Sequence, residues 1–165
     1  MNEFRLDVAD LLHHPGSRRA VHLAAPLPGL VVLGSAVPDD EPIEVDALLE
    51  RVHEGIVVRG VARTRWSGAC SRCLRPVSGE LTAEINELYE PDPLEGETYP
   101  LGNEQLDLGL AVRDAFLLDL PTAPVCRPDC AGLCPVCGID RNDDRCSCEA
   151  SVPDPRWAAL SQLEL

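Results

Sequence analysis

The chain is 165 residues long and 45% hydrophobic, enough for a real core in one domain or in a domain with a small appendage. A net charge of -14, with all 14 basic side chains arginine, repels phosphates over ~8 Å at physiological salt and excludes broad nucleic-acid binding. No run approaches a membrane span, and acids break the apolar opening MNEFRLDVADLL as no export signal allows, so a cytoplasmic protein with reduced thiols is expected.

At the N-terminus Phe4, Leu6 and Val8 predict a short strand with one apolar face, and LVVLGSAV at 30–37 is a second apolar run. Turns are expected between them at 14–17 and 25–29, where proline and glycine cluster. His13 and His14 have no partner at metal spacing and read as loop histidines.

Residues 42–89 alternate as an antiparallel meander. Ile43, Val45, Ala47 and Leu49 share one face of its first strand, with Glu44, Asp46 and Glu50 on the other. Past a turn at 53–55, Ile56, Val58, Ala62, Thr64 and Trp66 face one way while Arg59, Arg63 and Arg65 line the opposite side. A third run puts Leu81, Ala83 and Ile85 inward and Glu80 and Glu84 outward, and the alternation slips at Glu87 and Leu88, where a bulge or strand end is expected. The arginine row has two readings. It could touch RNA phosphates, or it could pair with the acidic rows on both neighbouring strands, and pairing is the stronger.

Between the second and third strands, CSRCLRP at 70–76 puts Cys70 and Cys73 at a hairpin tip. No helical pattern follows, so a thioredoxin-type redox pair is disfavoured and a zinc knuckle that needs two further ligands fits better. Residues 91–105 form an acidic loop rich in proline and glycine. A helix then starts at the N-cap Asp107, with Leu110, Ala111, Ala115 and Leu118 as its apolar stripe, Arg113, Asp114 and Asp119 toward solvent, and Pro121 as its stop.

Residues 126–148, CRPDCAGLCPVCGIDRNDDRCSC, hold the remaining thiols, Cys126, Cys130, Cys134, Cys137, Cys146 and Cys148. Prolines and glycines break the segment too often for a core, whereas two cysteines three apart reach one metal ion if the chain turns tightly between them. Zinc is the expected ion, one or two per chain, and spacing alone leaves open which sulfurs share it. The tail offers Asp154 as N-cap and Pro155 at the first position of a short helix with Trp157, Leu160 and Leu163 on one face. That stripe reads first as core and second as a docking face.

These passages resemble the YceD family, the large ribosomal RNA subunit accumulation proteins of bacteria and plastids. The likeness runs through CSRCLRP at 70–76, DAFLLDLPTAPVC at 114–126, CAGLCPVCG at 130–138 and the closing DPRWAALSQL, while the first 65 residues add only a compatible strand pattern. The NDDR segment at 142–145 departs from the family, where Asn-Leu and a polar turn are usual. The resemblance implies a factor in accumulation or processing of large-subunit ribosomal RNA with no established enzymatic activity. It also implies one site from Cys70, Cys73, Cys126 and Cys130 and a second from Cys134, Cys137, Cys146 and Cys148.

The expected fold is α+β. An antiparallel β-rich body, a meander with barrel-like closure as one form, spans 1–121 with a helix near 107–120, and a Cys-rich arm at 122–165 packs on the hairpin tip at 70–73. The expected function is a non-catalytic ribosome-assembly factor, its acidic surface matched to a basic ribosomal protein or a pre-ribosomal particle, with no membrane partner. A thiol-based redox or metal sensor uses the same residues. A zinc or thiol enzyme fits less well, because catalytic zinc mixes in histidine or carboxylate and keeps an open position. An iron-sulfur cluster would announce itself by colour.

Overall fold

The computed structural model describes residues 3–148 and Arg156, so the expected C-terminal stripe of Trp157, Leu160 and Leu163 lies outside the described residues. In chain order the elements are β1 (Arg5–Asp7), α1 (Ala9–Leu12), β2 (Arg18–Pro26), β3 (Ser35–Ala36), β4 (Pro42–Arg51), β5 (Ile56–Ala69), β6 (Pro76–Glu90), β7 (Tyr99–Pro100), β8 (Gln105–Asp107) and α2 (Leu108–Asp119).

The alternating run becomes the meander. β4, β5 and β6 pair antiparallel in succession, and β5 meets β6 residue for residue from Ile56 opposite Tyr89 to Ala69 opposite Pro76. Side-chain period two then puts Ile43, Val45, Leu49, Ile56, Val58, Ala62, Ala83 and Ile85 in the core. Each large aliphatic buried this way contributes ~1.5–3 kcal/mol. The expected bulge at Glu87 and Leu88 is absent, since both pair in register with Val58 and Val57. The pattern slips because Glu87 takes a core-side position between Ile85 and Tyr89. It is half-buried, and burial first, then the Asp114 carboxylate, raises its pKa.

The sheet runs β2-β4-β5-β6-β7, with β3 joined to β5 and β7 parallel to β6. Among the described residues β2 pairs with β4 alone, so the sheet stays open and the barrel-like closure does not form. β1 and β8 make a separate two-stranded ribbon.

The N-terminal third differs most from expectation. β2 lies between the two expected turns and runs into the second of them, its alternation blurred because Ala20 and Ala24 stand outward where charges would have marked a surface. The apolar run at 30–37 is not one strand. It folds back through a bridge between Val31 and Ala36, burying Leu30 and Val37 while Val31 and Leu33 are 61% and 97% exposed. β3 docks on β5 with Ser35 opposite Gly68. A Cβ on Gly34 would lie 2.4 Å from the Thr122 carbonyl oxygen, so a glycine lets this turn press against the entry to the arm. Ser35 Oγ donates to the Pro121 carbonyl at 2.8 Å and fixes that entry.

α2 starts where its cap predicts, with Asp107 Oδ1 accepting from the Gly109 N–H at 3.0 Å. Its buried stripe is Leu108, Ala111, Val112 and Phe116, whereas Leu110 and Leu118 are 40% and 85% exposed, which corrects the expected face. Leu118 sits ~200° around the helix from Phe116, and the larger ring takes the core.

On the outer face of the sheet the arginine row is engaged by carboxylates. Arg59 meets Glu50 at 3.5 Å, Arg63 meets Asp46 at 3.1 Å and Arg65 meets Glu41 at 2.8 Å, while Arg18 shares Glu50 and His22 shares Asp46. The groups are solvent-exposed for the most part, so water screens each pair and it adds little to stability.

Candidate metal centre

The β5–β6 hairpin ends in a tight turn at residues 70–75. The Cys70 N–H donates to the Arg75 carbonyl at 2.8 Å and the Leu74 N–H to the Cys70 carbonyl at 2.9 Å. Residues 134–139 repeat the turn atom for atom: Cys134 N–H to Ile139 carbonyl at 2.8 Å, Gly138 N–H to Cys134 carbonyl at 2.9 Å. Both turns need a left-handed residue after the second cysteine. Gly138 supplies it at φ +74° and Leu74 at φ +62°, the one non-glycine positive φ among the described residues.

The reason for the turn is that it aims backbone N–H groups at sulfur. Burial opposes ionisation of Cys70, but the N–H groups of Cys126, Cys73 and Arg72 outweigh it and hold the thiol down to about 6. For Cys134 the N–H groups of Cys137 and Val136 do the same, again to about 6.

Each turn is completed by two thiols of the arm. The sulfurs of Cys70, Cys73, Cys126 and Cys130 lie within 4.8 Å of one another, and so do those of Cys134, Cys137, Cys146 and Cys148. Cys70 Sγ is 3.9 Å from Cys130 Sγ and Cys73 Sγ is 3.7 Å from Cys126 Sγ. A tetrahedron of ~2.3 Å zinc–sulfur bonds has edges of ~3.8 Å, and a disulfide is ~2.05 Å, so the spacing fits a shared cation and not a bond.

The titration pattern agrees with that chemistry. While Cys70 and Cys134 fall, burial and then the neighbouring thiols push Cys126 up to about 12, and the Cys137 sulfur, then burial, pushes Cys148 up to about 12. Four sulfurs at this spacing cannot all carry charge unless a cation sits among them.

The arm reaches the tip through contacts that spacing could not announce. The Ser71 N–H donates to the Pro124 carbonyl at 2.7 Å, the Leu133 N–H to the Arg72 carbonyl at 3.0 Å, and Arg72 Nη1 to the carbonyls of Pro128 and Cys130 at 3.1 and 3.0 Å. Arg75 holds Asp140 at 2.6 Å and also meets Asp143. Asn142 Nδ2 reaches the Cys130 sulfur at 3.4 Å. Val77 and Leu133 pack against Cys70, Cys73 and Cys130 to close a small cluster of buried residues apart from the main core.

The model of the family described as large ribosomal RNA subunit accumulation protein YceD matches residues 58–164. This chain belongs to the YceD family. The match begins in β5 and takes in all eight cysteines. An uncharacterized protein of Mycobacterium tuberculosis is 34% identical over 166 residues, covering 96% of this chain and 80% of its own. Another from Mycobacterium leprae is 30% identical over 95% of this chain and 76% of its own. The Zea mays chloroplastic protein named large ribosomal RNA subunit accumulation protein YCED homolog 1 is 23% identical over 88% of this chain and 61% of its own. No solved structure matches the chain.

In this YceD protein every predicted thiol stands in one of the two groups. His14 and His22 belong to neither; their rings meet the Asp10 carbonyl and the Asp46 carboxylate. Sequence reasoning missed Arg75, Leu74 and Asn142. The first two sit where a turn residue was expected to be generic, and Asn142 had one legible signal. It follows Asp140 by two positions, the spacing of an Asx turn, and its N–H does bond Asp140 Oδ1 at 2.9 Å. No helix among the described residues is long and apolar enough to cross a membrane.

Proposed function

We propose that this YceD-family protein is a non-catalytic cytoplasmic factor supporting large-subunit ribosomal RNA accumulation and ribosome assembly, shaped by two structural zinc ions. Cys70, Cys73, Cys126 and Cys130 hold the first ion, and Cys134, Cys137, Cys146 and Cys148 hold the second. The observation that carries the reading is the grouping of the sulfurs in two sets of four, each within 4.8 Å, the first with facing pairs at 3.9 and 3.7 Å and drawn half from the β5–β6 hairpin tip and half from the arm. Binding an ion there converts metal affinity into folding free energy, on the order of 10 kcal/mol for a structural site. The first ion fastens the arm, 122–165, to the body, 1–121. Two all-thiolate sites are closed, with no position left for a substrate.

The partner is a basic ribosomal protein or a pre-ribosomal particle. The chain's charge of -14 supports this, and each four-thiolate zinc site adds two further negative charges. Arg59, Arg63 and Arg65 would have to leave their carboxylates to touch RNA. Affinity purification from cells with and without ribonuclease tests the partner. A complex that survives ribonuclease is expected, and its complete loss would mean tethering by RNA and overturn the protein contact.

A second reading, a redox sensor, draws on the exposure of Cys126 and Cys137. Peroxide would oxidise two thiolates to a disulfide, itself reduced to water, and the ion would leave. Reversible zinc loss under mild peroxide with a change in partner binding separates this reading from the first.

A further inference from the structure

The second thiol group is closed by residues 138–145, the loop between Cys137 and Cys146, and this loop reaches the first group. Asn142 stands in it. Its Oδ1 accepts from the Ala131 backbone N–H at 2.9 Å and from Arg127 Nη2 at 2.7 Å. Both partners can only donate, which assigns that atom as the carbonyl oxygen and turns the NH2 toward acceptors. The NH2 meets two of them, the Cys130 sulfur at 3.4 Å and Asp140 Oδ1 at 2.6 Å.

We propose that Asn142 is a positioning residue shared by two metal sites: closure of the second site sets its N–H on a ligand of the first, so the two ions load cooperatively. The inference rests on reading both thiol groups as metal sites.

Other bonds tie the same loop to the same neighbour. The Arg141 N–H donates to the Gly132 carbonyl at 2.9 Å, Leu133 and Asp140 form a bridge, and Arg75 of the first turn grips Asp140. An ion held by Cys137 and Cys146 pins both ends of the loop and so restricts where Asn142 can stand. The N–H on Cys130 then orients that sulfur and offsets part of its charge. Removing such an outer partner of a metal ligand typically lowers affinity about 10- to 100-fold. Coupling is reciprocal, so breaking the first site weakens the second by the same factor.

The test is a zinc competition titration of the full chain against a chromophoric chelator, with zero-, one- and two-zinc forms counted by native mass spectrometry. Cys146→Ser with Cys148→Ser opens the second site. Asn142→Asp keeps an oxygen for Ala131 and Arg127 but offers Cys130 no N–H, and Asn142→Ala removes the bond without adding charge.

The native chain is expected to bind two ions with the one-zinc form scarce throughout. Opening the second site, or changing Asn142 with that site intact, weakens the first ion about 10- to 100-fold. Combining the two changes adds no more than about twofold, because both act through one contact. First-site affinity within about twofold of native in either single background, or losses that simply multiply, would overturn the coupling while leaving two independent zinc sites standing. A native chain with its sheet intact by circular dichroism that binds no zinc overturns the metal reading and the coupling together.

Discussion

Leu74 and Gly138 hold equivalent places in the two cysteine turns, at φ +62° and +74°, and only the glycine is at ease there. An L side chain in the left-handed region costs ~1–2 kcal/mol, and the Leu74 side chain is 65% exposed, so it recovers little by packing. Leu74→Gly is therefore expected to raise stability slightly or leave it level, the relief being offset in part by ~0.5–1 kcal/mol of unfolded-state entropy. Gly132→Ala should go the other way, because φ is +70° and the new Cβ would lie 2.9 Å from the Arg72 carbonyl. Urea midpoints of the two variants check the pair, and a clear loss for Leu74→Gly would contradict the argument. Asp46 allows a test of sign. The His22 hydrogen bond first, and Arg63 with it, holds its carboxyl below the ordinary 3.8. A depressed carboxyl contributes stability above its unfolded value and loses it as pH falls through the folded one. The urea-midpoint gap between native and Asp46→Asn chains should be open at pH 7 and close below about 3.8, and a gap constant with pH would refute the link.

At the scale of elements, legibility followed contrast between faces. β4, β5 and β6 were readable because Glu44, Asp46, Arg63, Glu80 and Glu84 mark the outer face against Val45, Ala62 and Ala83. β2 was not, since alanine stands on its outer face, and the run at 30–37 misled because Val31 and Leu33 are apolar yet exposed. In α2 the start was legible from Asp107, but apolar residues on both sides hid the phase. Phe116→Ala should destabilise the chain by ~3–5 kcal/mol, as for a fully buried ring, while Leu118→Asp stays within ~0.5 kcal/mol. Thermal unfolding of the two decides the phase, and equal losses would contradict it. The thiols were legible as metal-type ligands from spacing. Their division into two sets came from the family resemblance and matches the two groups found; spacing alone did not give it, because the distance from the hairpin tip to the arm depends on Ser35, Ser71 and Gly34, which carry no signal of their own.

At the scale of the molecule, the described residues form an open sheet backed by α2, with a second, thiol-centred cluster where the arm meets the β5–β6 tip. Without an ion that junction has a handful of hydrogen bonds and an Arg75 pair to hold four crowded sulfurs. An ion bound there would join distant parts of the chain through one set of four thiolates. The measurement that tests this most directly is zinc K-edge X-ray absorption on the purified chain with its metal content counted. The account predicts two ions per chain, each with four sulfurs at ~2.3 Å. A single ion, or a shell containing nitrogen or oxygen, would contradict it.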